Sequence, residues 1–329
     1  MRSIASVTVI VCTRDRPGLL EECLRALSGQ TYPDFEVLVV DNAPSRLVRD
    51  ICQRWRATWV AAPLPGLTRA RNVGARMARG EVIAYIDDDA VAEAGWLAAL
   101  MEDFGDPGIA AVTGRIRYMK SLGDTREISD QESAEDPPRP RRSLDARTRG
   151  WFATASFGGI GDGGNMAFRR ELIASEAPFD ERIGRGRLLD SGDEHVVFSA
   201  LIAQGHRIVH NPDAVVRHPC PPTPALQRAR RLSELRSSIA YLLFLWFEFG
   251  SHRGDILRFL ARAVRKRVAP ARDRRSGTAS ISLARAIAAM LGGLVLYCKA
   301  TREWTGAPPR AGEAIAPLPR IAQRSSGSR

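Results

Sequence analysis

The sequence predicts an α/β fold built on a mainly parallel sheet with helices on both faces. Apolar, β-branched runs of strand length recur through residues 1–118, and segments with apolar residues three and four positions apart lie between them. Strands that alternate with helices in this way are typical of parallel sheets. Ligands of such sheets bind beyond the carboxyl ends of the strands, so a site is expected at that rim.

The elements follow one another in a regular order. The strand-like runs are VTVIVC, FEVLVV, ATWVAA, EVIAYI and GIAAVTGRIRYM, and the helix-like segments between them are GLLEECLRALSGQ, SRLVRDICQRW, TRARNVGARMARG and GWLAALMEDF. Three polar turns, CTRDRP, DNAPS and DDD, follow the first, second and fourth strands. Because parallel strands end at one rim, these turns are expected to meet there.

The second part of the chain is less regular. Residues 120–150 are polar and aperiodic, which predicts a long mobile loop. GDGGNMAFRREL, a helix around GDEHVVFSALIAQG and a strand that ends in DAVVRHP follow it, and the prolines of PCPPTP indicate a boundary near residue 220. The predicted divisions are a main domain at 1–222 with halves at 1–118 and 119–222, a helical extension at 223–304 and a disordered tail at 305–329.

The net charge of +11 arises in the C-terminal third. Residues 223–329 carry 20 Lys and Arg against 6 Asp and Glu, whereas the rest of the chain carries 28 against 31. Within the basic region, one helical face of RGDILRFLARAVRKRV collects Ile256, Leu257, Leu260, Ala263 and Val264. This pattern predicts a helix on an anionic membrane surface, and the alternative is a helical layer packed on the main domain. The apolar runs 239–247 and 286–298 are shorter than a membrane span.

The cysteines and the N-terminus indicate the compartment. The five cysteines include no C-x-x-C pair and no histidine at zinc-site spacing, which predicts reduced thiols. The short apolar N-terminus runs into CTRDRP without a cleavage-site pattern, so it is interpreted as a strand rather than a signal peptide. These features predict a cytoplasmic protein, or one peripheral on the inner face of the cell membrane. Nucleic acid is not an expected partner, because the basic region lacks interleaved aromatic residues.

The DDD turn carries the main chemical signal. Asp87, Asp88 and Asp89 end the apolar run VIAYI. Adjacent carboxylates removed from water are unfavourable unless a positive charge compensates them. Mg²⁺ and Mn²⁺ prefer carboxylate oxygens and complete their coordination with water and phosphates. The turn therefore predicts a divalent cation bound together with a diphosphate, and a solvated acidic turn is the alternative.

Four stretches are informative together: VTVIVCTRDRPGLLEECLRALSGQTYPDFEVLVVDNAPS, GLTRARNVGARMARGEVIAYIDDDA, GDGGNMAFRREL and SGDEHVVFSALIAQG. In this order they resemble family 2 glycosyltransferases of the Rossmann-like GT-A fold, over about residues 7–218. The resemblance implies a hexosyltransferase with a nucleotide-sugar donor, a divalent metal (Mg²⁺ or Mn²⁺) and inversion at the anomeric carbon. The implied acceptor is a hydroxyl of a sugar or lipid-linked molecule, in the synthesis of cell-envelope polysaccharide or glycolipid. The first half of the main domain would hold the donor and the second half the acceptor.

The resemblance also assigns site residues. It implies nucleotide-sugar contacts for Thr13, Arg14, Asp41, Arg71, Asn72, Asp87, Asp88, Gly164 and Asn165. Asp41 is expected at the nucleotide base, Asp88 at the ribose and Asp89 at the metal. Arg71 can offer a forked set of donors to phosphate oxygens. His218 is a further metal candidate, since imidazole also binds Mn²⁺, and a surface histidine is the alternative.

An inverting transfer needs a base that takes the proton of the acceptor hydroxyl. The family's G-E-D-x-D-L-like segment matches residues 192–197 here, with the two acids in swapped order. Glu194 therefore falls at the base position. Asp193 stays an alternative, as does a helix-capping role for both acids. His195 lies about 100° around the helix from Glu194 and is expected to be structural or solvent-facing.

Two other functions remain open from the sequence. A nucleotidyltransferase can use a similar sheet, but it typically carries a glycine-rich, basic run after the first strand, which CTRDRPG lacks. A non-catalytic scaffold could bind membranes through the basic region. The intact DDD turn and the Asp193 and Glu194 pair argue against loss of activity.

Overall fold

A computed structural model describes residues 6–119, 139–174, 178–219, 224–268 and 283–303. Three predictions concern residues that lie wholly or partly outside these ranges. Most of the predicted loop at 120–150 lies outside them, because the description resumes only at residue 139. The predicted disordered tail at 305–329 and the predicted boundary near residue 220 also lie outside the described residues.

The described residues form one mixed sheet with helices around it. The strands are β1 Val7–Thr13, β2 Phe35–Asp41, β3 Thr58–Ala61, β4 Val82–Asp87, β5 Val91–Ala92, β6 Ile109–Met119, β7 Arg142–Leu144, β8 Asn165–Arg169 and β9 Arg207–Pro219. The helices are α1 Pro17–Ser28, α2 Arg46–Arg54, α3 Leu67–Met77, α4 Trp96–Met101, α5 Trp151–Ser156, α6 Arg170–Ile173, α7 Asp193–Ala203, α8 Pro224–Glu248, α9 Arg253–Val268 and α10 Leu283–Glu303.

The order of the strands is β3-β2-β1-β4-β8-β6-β9-β5, and β7 pairs with β9. The β3-β2-β1-β4 part is parallel, as the sequence predicts. Strand β8 runs antiparallel to both β4 and β6. Strand β7 falls inside the predicted loop, so the loop prediction is wrong at 142–144. Its three residues form a strand because they pair with β9, which is distant in the chain, and the local sequence carries no strand pattern.

Both faces of the sheet are covered because successive side chains of each strand point to opposite sides. On β1, Val9 and Val11 pack in one apolar cluster with Leu20 of α1. Ile10, between them, packs in a second cluster with Ala70 of α3. The continuous apolar runs seen in the sequence are therefore explained by burial on two sides, as in other sheets covered by helices on both faces.

The C-terminal helices share a third apolar cluster with the main domain. Tyr241 and Phe244 of α8 pack there with Ile256 of α9, Phe152 of α5 and Val196 of α7. Two predictions therefore meet different outcomes. The helical layer does pack on the main domain, whereas Ile256 is buried and does not belong to an exposed face with Leu257.

A buried ion-pair network also ties α8 to the main domain. The guanidinium of Arg182 donates to Asp180 at 2.7 Å and to Glu248 of α8 at 2.7 Å. It also lies over the ring of Phe244, 5.1 Å from its centroid. No helix in the part of the chain that the structure describes has the length and apolar character needed to cross a membrane.

Candidate active site

The three polar turns meet at one rim of the sheet. The parallel register places Thr13 of β1 beside Asp41 of β2. It also places Cys12 of β1 beside Asp87 of β4. The carboxyl ends of these neighbouring strands therefore bring CTRDRP, DNAPS and DDD to the same edge, which is where the sequence analysis expects them.

Asp87, Asp89 and His218 form a group that could hold a metal ion. Each offers one ligand atom, and these atoms lie within 4.8 Å of one another. His218, near the end of the long strand β9, places Nε2 3.0 Å from Asp89 Oδ1. Two carboxylates and an imidazole suit a divalent cation such as Mn²⁺, so the donor set fits the expected metal. Asp87 was assigned to the nucleotide-sugar, and the structure adds it to this group.

The protonation of the pair formed by Asp89 and His218 follows from its geometry. Burial raises the pKa of Asp89, but the hydrogen bond and charge of His218, together with the charge of Arg16, leave that pKa below its usual value. Burial lowers the pKa of His218, and Asp89 more than offsets this, so the pKa of His218 is raised. Each group therefore stabilises the charged form of the other. A bound cation would take the place of the imidazole proton.

Asp88 points away from this group. Its carboxylate is buried, accepts a hydrogen bond from Thr13 Oγ1 at 2.8 Å and lies 3.3 Å from Arg16 Nη1. Burial raises the pKa of Asp88 to about 6 against the opposing effects of Thr13 and Arg16. The same Arg16 nitrogen is 3.0 Å from Asp89 Oδ2. Arg16 was not predicted as a site residue, although its place in the CTRDRP turn is a signal that it lies at the rim.

Arg71 lies between the two acidic parts of the site. It is buried on α3, and its Nη1 donates to Asp193 Oδ2 at 2.7 Å. Nη2 lies 4.0 Å from Asp87 Oδ1, and Nη1 lies 4.0 Å from Glu194 Oε2. Burial lowers the pKa of Arg71, but these carboxylates outweigh it and hold the pKa above its ordinary value. The guanidinium is therefore the counter-charge that lets the acids of β4 and α7 approach each other.

Asp193 and Glu194 differ in accessibility. The side chain of Asp193 is 4% exposed, and it accepts hydrogen bonds from Arg71 and from Thr68 Oγ1 at 3.2 Å. Burial raises the pKa of Asp193 to about 6 despite the ion pair with Arg71. Glu194 is 14% exposed, with Oε2 4.0 Å from Arg71. Asp193 is thus engaged inside the fold, and Glu194 is the more exposed of the two carboxylates.

Two glycines let the segment before β8 approach the acids. A Cβ on Gly163 would lie 2.5 Å from Arg71 Nη2, and a Cβ on Gly164 would lie 2.5 Å from Asp87 Oδ2. Side chains in these places would displace the very groups that define the site. Gly164 was assigned as a donor contact, and the structure places it against Asp87.

Two assigned residues, Asp41 and Asn72, have side chains enclosed by protein. Asp41 accepts from the backbone N–H groups of Ala43 and Ser45, each at 3.1 Å. Asn72 donates to the carbonyl of Phe179 at 2.8 Å. Their assignment as donor contacts stays a prediction, because in this structure both side chains are buried and their hydrogen bonds shape the loops around the rim.

Asn165 and Arg14 lie at opposite extremes of burial. The amide of Asn165 is buried, accepts from Trp96 Nε1 at 2.8 Å and donates to the carbonyl of Ala214 at 2.8 Å. It therefore joins β8 to its neighbours. Arg14 is exposed on the turn after β1, 3.8 Å from Asp15. The structure thus groups Thr13, Arg71 and the acids, whereas the hydrogen bonds of Asn165 and the ion pair of Arg14 go to other residues.

Three residues of the site were given no role from the sequence, although Gly192 begins the segment matched to the family motif. Thr68 donates to the carbonyl of Ile183 at 2.7 Å as well as to Asp193. Gly184, at φ +105°, leaves no room for a Cβ beside Thr68, and Gly192, at φ +104°, packs against the ring of Tyr241. A positive φ strongly favours glycine. The glycines in RIGRG and SGDE were therefore the available signal, but only their neighbours in space explain them.

The strand order, the acidic rim and the acid-bearing start of α7 together define a glycosyltransferase of the GT-A class. A model of the family described as "Glycosyl transferase family 2" matches residues 8–175, just over half of the chain. The chain belongs to this family, as its motifs predict, and it is a nucleotide-sugar glycosyltransferase.

Individual relatives agree with this conclusion. The chain is 25% identical over 277 residues to a glucosyl-dolichyl phosphate glucuronosyltransferase of Haloferax volcanii, which covers 76% of this chain and 78% of that protein. It is 27% identical over 271 residues to the succinoglycan biosynthesis protein ExoM of Rhizobium meliloti, covering 79% and 78%. The solved structure of the mannosyltransferase PcManGT of Pyrobaculum calidifontis, with GDP-Man and Mn²⁺, has the same fold. Its TM-score is 0.53 at 20% identity, covering 95% of this chain and 79% of that one.

Proposed function

We propose that this enzyme transfers a sugar, with inversion, from a nucleotide-sugar to an acceptor hydroxyl with the help of a divalent cation. The observation that carries the proposal is the position of Arg71, which lies between the possible metal ligand Asp87 and the acids at the start of α7. A departing diphosphate and an attacking hydroxyl must lie on opposite sides of one anomeric carbon. The acids at the end of β4 would lie on the side of the diphosphate, and the acids at the start of α7 would lie on the side of the hydroxyl.

The metal end of the site would be held by Asp87, Asp89 and His218. A bound Mg²⁺ or Mn²⁺ would offset the negative charge that develops on the diphosphate as the glycosidic bond breaks. Arg16 can reach the same region, since its guanidinium already contacts Asp88 and Asp89. Asp88, oriented by Thr13, is the proposed contact of the ribose.

Glu194 is the proposed base. The acceptor oxygen attacks the anomeric carbon, its proton passes to the Glu194 carboxylate, and the bond to the diphosphate breaks. Accessibility supports Glu194 over Asp193, because Asp193 is already engaged by Arg71 and Thr68. In this proposal Asp193 holds Arg71 in place rather than accepting a proton.

Thermal unfolding with a panel of sugar nucleotides tests the donor. UDP-glucose, UDP-N-acetylglucosamine, UDP-glucuronic acid and GDP-mannose are each added with and without Mn²⁺. At a hundred times its Kd, the correct donor is expected to raise Tm by about 5 °C or more, because it binds only the folded protein. The rise is expected to need Mn²⁺ in the wild type and to be absent from Asp89→Ala even when Mn²⁺ is added. A panel in which no sugar nucleotide shifts Tm would contradict the proposal.

The proposed setting is the synthesis of cell-envelope polysaccharide or glycolipid at a membrane surface. Two relatives support this, since one is a succinoglycan biosynthesis protein and the other a glucosyl-dolichyl phosphate glucuronosyltransferase. The C-terminal helices also expose an unusual number of large apolar side chains: Leu257 and Leu260 of α9, and Leu291, Leu294 and Val295 of α10. Exposed apolar residues on a strongly basic region favour an anionic bilayer as the partner.

Vesicle flotation tests the membrane contact. The protein is expected to float with vesicles that contain about 30% anionic lipid and not with neutral ones, and 0.5 M salt should weaken binding. Leu291→Gln together with Leu294→Gln should reduce the bound fraction. Leu64→Gln in the main domain is the matched control, since Leu64 and Leu291 are 61% and 60% exposed. Equal binding of both variants would argue against this surface.

A further inference from the structure

His195 lies beside the proposed base but is neither solvent-facing nor fully explained by packing. Its side chain is 14% exposed, and its ring packs edge-on against Tyr241 with the centroids 6.2 Å apart. The Nε2 atom is buried and has no hydrogen-bond partner among the residues that the structure describes. A buried ring nitrogen without a partner is unfavourable, so such a group calls for an explanation.

The carboxylate of Glu194 lies close to this nitrogen. His195 Nε2 lies 3.8 Å from Oε1 of Glu194, and Arg71 Nη1 lies 4.0 Å from Oε2. Both distances exceed that of a hydrogen bond. The carboxylate therefore has a donor group on each side, and a small rotation of the side chains would bring either one into contact.

We propose that His195 is a positioning residue whose Nε2–H donates a hydrogen bond to Glu194 Oε1 once substrate fills the site, and so directs Oε2 toward the acceptor hydroxyl. The inference rests on the proposed function, in which Glu194 is the base. In many enzymes the general base that activates a nucleophile is itself oriented by a hydrogen bond from a third group. Contacts of this kind are often long in the free enzyme and shorten in the substrate complex.

The surroundings favour a neutral imidazole, which is the form that can share one proton in this way. Burial lowers the pKa of His195, and the negative charges of Asp162 and Asp193 oppose this without reversing it. Arg71 from α3, Tyr241 from α8 and the adjacent Asp193, whose side chain also interacts with that of Glu194, are the other charged or titratable groups that face Glu194. His195 Nε2 is the ring nitrogen that lies beside Oε1.

The test compares His195→Leu with His195→Gln. The assay follows nucleoside diphosphate released from the sugar nucleotide of the panel that is turned over fastest, with water as the acceptor. His195→Leu is expected to lower kcat about tenfold to a hundredfold, the value of a hydrogen bond to a charged group, with donor Kd unchanged. The acidic limb of the kcat profile should move to higher pH by about one unit, because the carboxylate loses a donor that favours its charged form.

His195→Gln should recover most of the loss, since its terminal amide can donate from nearly the same place. His252→Leu is the matched control, because His252 is a buried histidine that contacts the aromatic rings of Phe152 and Phe249 rather than Glu194. Three results would overturn the inference: an unchanged kcat and pH profile in His195→Leu, an equal loss in His195→Gln, or the same change in pH profile in His252→Leu. Glu194→Gln separates failure of this inference from failure of the proposed base. Full activity in Glu194→Gln would show that Glu194 is not the base, whereas a large loss of activity there would confine the failure to His195.

Discussion

Glu194→Gln is expected to lower kcat for sugar transfer by about 10²- to 10⁴-fold and to leave the affinity for the donor unchanged. The amide has nearly the shape of the carboxylate, but it cannot take the proton of the acceptor hydroxyl, and general base catalysis contributes about this much. Release of nucleoside diphosphate measures kcat, and calorimetric titration of the donor measures Kd. A loss confined to kcat would identify an interaction made in the transition state rather than in donor binding.

Two further variants show whether the effect is specific. Glu181→Gln is the matched control, because Glu181 is also a partly buried carboxylate but pairs with Arg69 at 2.7 Å outside the acidic cluster. It is expected to keep its kcat. Asp193→Asn is expected to destabilise the fold, since it weakens the buried contacts to Arg71 and Thr68. If Asp193→Asn abolished transfer with an unchanged Tm while Glu194→Gln stayed active, the role of base would belong to Asp193.

Asp89→Ala is expected to abolish the stimulation of turnover by Mn²⁺ and to lower kcat by about 10³-fold or more. A divalent cation supplies several kcal/mol of charge stabilisation to a leaving diphosphate, and each 1.36 kcal/mol is a factor of about ten in rate. The fold should survive, because Asp89 lies at the tip of β4 and its side chain is partly exposed. Titration with Mn²⁺ measures the stimulation, and circular dichroism measures the fold.

The matched control for Asp89 is Asp106→Ala, which removes an exposed aspartate whose partner is Arg207. It is expected to retain the wild-type response to Mn²⁺. Chelation of divalent ions with EDTA should bring the wild-type enzyme to the level of Asp89→Ala. Undiminished, Mn²⁺-dependent turnover in Asp89→Ala would show that the ion is not held at this strand tip.

The fold class could be predicted from the sequence because its signals are local. Each buried strand is a short β-branched run, and each helix repeats apolar residues at its own period, so neighbouring residues determine the element. The antiparallel strand β8 could not be predicted in the same way. It lies between β4 and β6 in the sheet, and this order depends on contacts between segments far apart in the chain.

The kinds of groups in the site were also predictable. The acids of DDD, the acids after Gly192 and Arg71 were all chosen from sequence, and the structure brings them to one rim. Which of these residues line the site and which stabilise the surrounding loops was not predictable. Asp41 and Asn72 have ordinary polar side chains in the sequence, and only their buried hydrogen bonds show that they shape loops in this structure.

By itself, the sequence determined the chemistry that this protein has available: an α/β sheet, an acidic strand end, an arginine expected near phosphate oxygens and an acidic helix start. Only the tertiary structure decided that Arg71 pairs with Asp193, 122 residues away, and that Glu194 keeps its accessible carboxylate. The physical reason is that burial and charge pairing depend on distance in space. Two adjacent carboxylates with the same local pattern therefore acquire different roles once one of them is enclosed and the other faces the site.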